Sequence, residues 1–265
     1  SHIDEEYMAI RILIVDDEEY NRLLFKTILD RWKVIYNEAS NGMEALEILK
    51  TNRFDLLFMD ARMPGIDGLK VTQFIRNEMN IRESEMPVIC ISAASVNEDW
   101  QKYQKAGMNA FLPKPFTEEM LLTTILAVIK DYAPVTVSTA VSDEKIKSSG
   151  IDKINLNNLY HISGGDEQFV KQMLVSFIDS TKKGLKDMQE AVISGQLASA
   201  EDLAHKMLPP CRHIGATDLC NLLRKIEESN QKNIGQQALE TLARESIIEF
   251  EAVSELIKER ITKLS

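Results

Sequence analysis

Cysteine is scarce in this sequence. Its 265 residues include three, Cys90, Cys211 and Cys220. The odd number and the absence of any C-x-x-C spacing exclude a disulfide-stapled or zinc-ribbon scaffold, and point to a reducing compartment in which these residues are small core hydrophobes. Positive charge is also in deficit, with 31 Lys and Arg against 41 Asp and Glu and a formal net charge of -10. Binding to a phosphate backbone needs clustered cations, so nucleic acid is not expected as a main partner. No apolar run approaches the roughly 18 residues of a membrane span, and no signal-peptide apolar region opens the chain. The reading is of a soluble, cytoplasmic chain. An initiator methionine is missing as well, and Ser1-His2-Ile3 reads as a cloning remnant on an excised fragment.

What is present is enough apolar material, 44% of residues, for two domains. From Ile10 to about Asp131, short apolar runs alternate with amphipathic stretches. IRILIV (10–15), VIYNEA (34–39), DLLFM (55–59), PVICIS (87–92) and AFLP (110–113) are the expected strands. Between and after them, Asn21–Trp32, Met43–Lys50, Leu69–Asn77, Glu98–Ala106 and Glu118–Lys130 have helical spacing. Five βα repeats imply a doubly wound parallel sheet, in which ligands gather at the carboxyl ends of the strands. The stretch APVTVSTAVSDEKIKSSG (133–150) is small, polar and aperiodic. Residues 132–151 are accordingly read as a flexible linker, whose 18-residue core would span on the order of 20–25 Å as a coil. Beyond it only helical spacing is found, at Asp166–Ser194, Leu197–Leu208, Thr217–Ser229 and Gln236–Leu264, which predicts a bundle of four or five helices. No internal repeat relates the halves.

The strand ends carry the chemistry of the first half. Asp16, Asp17 and Glu18 follow the first strand, Asp60 closes the third, Ser92 the fourth, and Lys114-Pro115 follows the fifth. A parallel sheet brings these ends to one rim, so carboxylates, a hydroxyl and an ammonium converge. Converging carboxylates call for a cation, and Mg²⁺, hard and oxygen-seeking, suits them. It would cancel the repulsion between Asp60 and an incoming phosphoryl group, with Lys114 balancing charge on the other side. Any one acidic residue here reads equally well as a helix cap; the set at corresponding strand ends does not.

With VDDE (15–18), MDARMPGIDGL (59–69), ISAAS (91–95) and FLPKP (111–115), residues 9–131 resemble the response-regulator receiver domain, a flavodoxin-like fold. The resemblance implies that Asp60 is the phosphorylated aspartate and Asp17 a direct Mg²⁺ ligand. Asp16 would help through water, and the backbone carbonyl of Arg62 would complete the protein ligands. It further implies that Ser92 and Phe111 form a switch pair, and that Lys114 is the family's lysine before a usually cis proline bond. Gly65 and Gly68 would supply the tight turn into the next helix.

In the second half, an ideal helix over 197–214 gathers Leu197, Ala200, Leu203, Ala204, Met207, Leu208, Cys211 and Ile214 on one arc. His205 lies about 130° from the centre of that arc and is expected to face solvent. Pro209 and Pro210 cannot donate to the carbonyls of His205 and Lys206, which predicts a bend beside the histidine. LAHKMLPPCRHIGA (203–216) and SGGDEQFVKQML (163–174) give residues 152–264 a resemblance to the histidine phosphotransfer (HPt) domain, an antiparallel four-helix bundle. That resemblance implies that His205 is phosphorylated. The sequence departs from the family at Leu208 and Pro209, where a lysine and a glycine are usual; Arg212 and Lys206 are the candidates to supply the missing charge.

Together the resemblances imply the C-terminal part of a hybrid two-component sensor histidine kinase, the cytoplasmic end of a membrane-bound protein. In that reading Asp60 takes a phosphoryl group from a kinase phosphohistidine with Mg²⁺, and His205 relays it to the aspartate of another receiver. The expected partners are the kinase core and a downstream response regulator. No kinase catalytic domain is present in this sequence, and neither half is expected to turn over a small molecule. The rival reading is a scaffold, a receiver joined to a helical docking module that transfers nothing. A DNA-binding regulator is disfavoured by the acidic charge. An aspartyl-phosphate hydrolase is disfavoured by Arg62, which stands where those enzymes place a second acid.

Overall fold

The computed structural model describes residues 10–93, 96–129 and 153–264, and the chain divides into two units, Ser1–Glu144 and Lys145–Ser265. The expected linker, 132–151, lies outside the described residues, as do Ala94 and Ser95.

In the first unit five strands, β1 (Arg11–Val15), β2 (Ile35–Ala39), β3 (Leu56–Asp60), β4 (Val88–Ser92) and β5 (Ala110–Pro113), form one parallel sheet in the order β2-β1-β3-β4-β5. The composition of each strand follows its place. β3 and β4, covered on both faces, are apolar up to their last residues, Asp60 and Ser92, and buried throughout, whereas the edge strand β2, IYNEA, is mostly exposed or half-buried. The helices that cover the sheet are α1 (Glu19–Arg31), α2 (Gly42–Thr51), α3 (Gly68–Asn77), α4 (Val96–Lys105) and α5 (Glu118–Ile129). Side chains alternate between the faces. Leu13, Val15, Leu57, Met59, Val88 and Cys90 enter one core with α2 and α3. On the other face Phe58 meets Phe25 of α1, whose ring also stacks near Phe116, at centroid distances of 4.9 and 4.5 Å.

Two helix starts are locally specified. Asn41 caps α2 by accepting from the Glu44 amide at 2.9 Å, and Glu44 reaches back to the Ser40 amide at 2.7 Å. Asp67 caps α3 through the Lys70 amide at 2.8 Å. The two glycines of MPGIDGL act differently from one another. Gly65 takes φ +82°, as the expected turn requires, but Gly68 is needed for space: a Cβ there would stand 2.0 Å from the Asp60 carbonyl oxygen. The start of α3 is thereby seated directly on the end of β3.

The second unit contains a short helix, α6 (Asn157–Ser163), and four longer ones, α7 (Glu167–Ile193), α8 (Leu197–Ile214), α9 (Thr217–Glu227) and α10 (Gln236–Lys263). Each of the four packs on the next, and α10 returns to α7, closing a bundle. Met173, Leu174, Phe177 and Met188 of α7, Ala204 and Leu208 of α8, Leu219 and Leu223 of α9, and Phe250 and Val253 of α10 are all buried in it, and Phe177 meets Phe250 at a ring-centroid distance of 6.3 Å. Asp166 caps α7 at two amides, those of Gln168 and Phe169, at 3.0 and 3.2 Å.

The expectation that His205 faces solvent is not met: the residue is 9% exposed, and Pro209 and Pro210 are buried as well. The physical reason is the width of the packed face. α8 contacts α6, α7 and α9, so burial extends well beyond the apolar arc and takes in polar positions whose partners lie on neighbouring helices. The helix also continues unbroken through both prolines to Ile214, past the periodic stretch that ended at Leu208.

Candidate functional site

At the carboxyl rim of the sheet the expected residues do meet. Asp16 follows β1 directly and is fully buried; Asp60 is the last residue of β3 and is 4% exposed. Lys114, one residue past β5, reaches across β4's end and places Nζ 2.7 Å from Asp16 Oδ2 and 3.2 Å from Asp60 Oδ2. One oxygen from each of Asp16, Asp17 and Asp60 lies within 4.8 Å of the others. The peptide bond between Lys114 and Pro115 is cis, as the resemblance implied.

The electrostatics are those of a crowded anionic site. Burial pushes the Asp60 carboxyl well above the usual carboxylate range; Lys114 opposes that, and the neighbouring Asp16 and Asp17 add to it. For Lys114, burial acts against the ammonium, but Asp16 and Asp60 outweigh it and hold the amine above its ordinary range. Lys114 thus pairs with two of three clustered carboxylates. The set is all oxygen and closely spaced, which fits a hard divalent cation such as Mg²⁺.

Backbone and side-chain donors fix the cluster. Asp60 Oδ1 accepts from the Arg62 amide at 3.2 Å, and the Arg62 residue is exposed. Asp16 Oδ1 accepts from the Glu18 amide at 2.9 Å and from Asn21 Nδ2 at 3.3 Å. Asn21 was not anticipated. Its signal was nevertheless available: it falls three and four residues before Leu24 and Phe25 on the buried face of α1, a polar residue on an apolar stripe. Ser92 closes β4 at the same rim, 3% exposed, and its carbonyl accepts from the Lys114 amide at 2.9 Å. Phe111 lies deeper, paired in register with Cys90, and meets Trp100 edge-on at 6.3 Å.

In the helical unit, His205 Nδ1 pairs with Glu227 Oε1 at the end of α9. With Nδ1 occupied by a carboxylate, the ring is held in orientation and Nε2 carries the free lone pair in the neutral form. Sequence reasoning missed Glu227, 22 residues away on another helix, because nothing local marks it. Lys206 is half-buried beside the histidine, and Arg212 is exposed about two turns further along α8.

The response regulator receiver domain family matches residues 12–126. Over 95% of its length the chain is 24% identical to the signal transduction histidine-protein kinase BarA of Escherichia coli (strain K12), of which it covers 27%. Over 85% of its length it is 28% identical to the sensor protein EvgS of the same strain, of which it covers 17%. The polar-differentiation response regulator DivK of Brucella anthropi is 29% identical over 124 residues, 47% of this chain and 99% of DivK. The chain therefore spans about a quarter or less of the sensor kinases it matches, and nearly the whole of the small regulator. Taken with the sheet order and the buried aspartate cluster, these matches place in its N-terminal unit a receiver domain of the response-regulator family.

Proposed function

We propose that the chain is a phosphorelay fragment of a hybrid sensor histidine kinase, with a receiver at 9–131, a linker at 132–151 and an HPt module at 152–264. Asp60 accepts a phosphoryl group from a kinase phosphohistidine, and His205 carries it onward to the aspartate of a separate response regulator. The observation that carries the reading is the convergence of Asp16, Asp17, Asp60 and Lys114 at one strand-end rim.

Asp17, Asp60, the Arg62 carbonyl and, through water, Asp16 would hold Mg²⁺. Bound there, the ion supplies the positive charge that lets a carboxylate meet a phosphoryl group. The chain's own residues do the rest. An Asp60 oxygen attacks phosphorus in line as the donor imidazole leaves with the bonding electrons. Lys114, already against Asp60 Oδ2, balances charge on the phosphoryl oxygens, and the Ser92 hydroxyl donates to one of them. Phe111 follows Ser92 as the switch. In the second transfer Nε2 of His205 attacks the phosphorus as its bond to the Asp60 oxygen breaks and the carboxylate leaves with the bonding electrons, with Glu227 holding Nδ1 and stabilising the charge that develops on the ring. Lys206 and Arg212 provide the nearby positive charge.

The burial of His205 favours one alternative, a helical module that docks receivers without accepting phosphate. Incubation with a kinase core carrying labelled phosphohistidine separates the two. The relay requires label in the helical unit that disappears in His205→Gln; label confined to Asp60 overturns it in favour of the docking module.

A further inference from the structure

The bundle holds two thiols that the relay does not use. Cys211 lies near the end of α8 and Cys220 in the first turns of α9, and they are 0% and 5% exposed. The two helices are joined by only Gly215 and Ala216, so the cysteines stand about equally far from the turn and oppose one another across the hairpin. The turn itself is fixed. The Ala216 amide donates to the Cys211 carbonyl at 3.0 Å, and the Cys220 amide donates to the Ala216 carbonyl at 2.9 Å. Gly215 takes φ +72°, and a Cβ there would lie 2.7 Å from Asn155. The two thiols form a hydrogen-bonded pair.

We propose that Cys211 and Cys220 are a disulfide-forming site that reacts with hydroperoxides. The pair is chemically asymmetric. Burial pushes the Cys211 thiol up, whereas the hydrogen bond from Cys211, aided by the positive charges of Arg212 and Arg224, holds the Cys220 thiol below its ordinary value despite burial. Cys220 is therefore the attacking thiolate and Cys211 the resolving thiol. The Cys220 sulfur takes the terminal peroxide oxygen, the O–O bond breaks, and the departing oxygen leaves as water or alcohol once protonated. The sulfenic acid so formed is attacked by the Cys211 sulfur. The S–O bond breaks, and the hydroxyl leaves as water with the Cys211 proton. In sum two thiols and one hydroperoxide give one disulfide, one water and one further water or alcohol, and a dithiol reductant reverses the change. Cys90 is the internal contrast: it lies alone in the central sheet, where burial pushes its thiol well up.

The bridge ties α8 to α9 at the closed end of the hairpin. His205 lies six residues before Cys211 and Glu227 seven residues after Cys220, so the disulfide sits about two turns from the imidazole–carboxylate pair.

The test treats the whole folded chain with hydrogen peroxide, alkylates it in denaturant and maps the peptides by mass. The proposal expects a Cys211–Cys220 disulfide within one chain, Cys90 still alkylated, and all thiols recovered after dithiothreitol. Cys211→Ser is expected to leave a Cys220 sulfenic acid that dimedone traps, and Cys220→Ser to leave Cys211 as a free thiol. Three alkylated thiols after peroxide overturn the proposal, as does a bridge to Cys90 or between chains. The wild-type map stands without either variant, so a variant that fails to fold does not decide the result.

Discussion

At the residue scale, the charges of the rim set the clearest expectations. Asp60→Asn removes one of three crowded carboxylates while preserving shape, and is expected to raise stability by about 1–2 kcal/mol while abolishing phosphorylation of the receiver. Urea unfolding at neutral pH measures the first effect. His213 offers a pH test in the helical unit. Burial lowers its pKa from 6.5 to about 4, so the folded form stays neutral where the unfolded chain takes a proton. The unfolded state binds more protons in that window, and stability falls as pH drops from about 6.5 towards 4, by roughly 3 kcal/mol in all. His213→Gln is expected to flatten that part of the profile, read from chemical unfolding at several pH values. Glu227→Ala frees the ring of His205, and is expected to slow phosphoryl transfer at His205 by roughly ten- to a hundredfold, the range for loss of an orienting partner. Single-turnover kinetics report it, with receiver phosphorylation unchanged.

At the element scale, Gly68→Ala drives a methyl group into the Asp60 carbonyl and pushes α3 from the end of β3. A loss of about 1–3 kcal/mol is expected, with weaker phosphorylation of Asp60, because the same contact seats that residue. Calorimetry and labelling on one preparation check both. The receiver's elements were legible in the sequence because its central strands are unbroken apolar runs and its helices alternate with them. AFLP was found to the residue. The rim was legible for a related reason: parallel strands carry their ends to one side, so position in the strand predicts position in space. α8 was not, because an apolar arc records only hydrophobic burial. His205, Pro209 and Pro210 are buried by neighbours on three other helices, and Glu227 is brought to the ring by the packing of α9, not by sequence distance. Gly68 was read as a turn residue for want of the same information, since close approach of two elements leaves no local mark.

At the scale of the whole molecule, the account is one of order. In the proposed relay, phosphate moves through the receiver to reach the helical module, and the acidic cluster and the paired imidazole would be the two stations. The decisive measurement is time-resolved mapping of labelled phosphate on the intact chain, supplied by a phosphorylated kinase core with Mg²⁺, for wild type and Asp60→Asn. The account predicts label first on Asp60 and then on His205, and none at either residue in Asp60→Asn. Label arriving at His205 in the Asp60→Asn chain would contradict it.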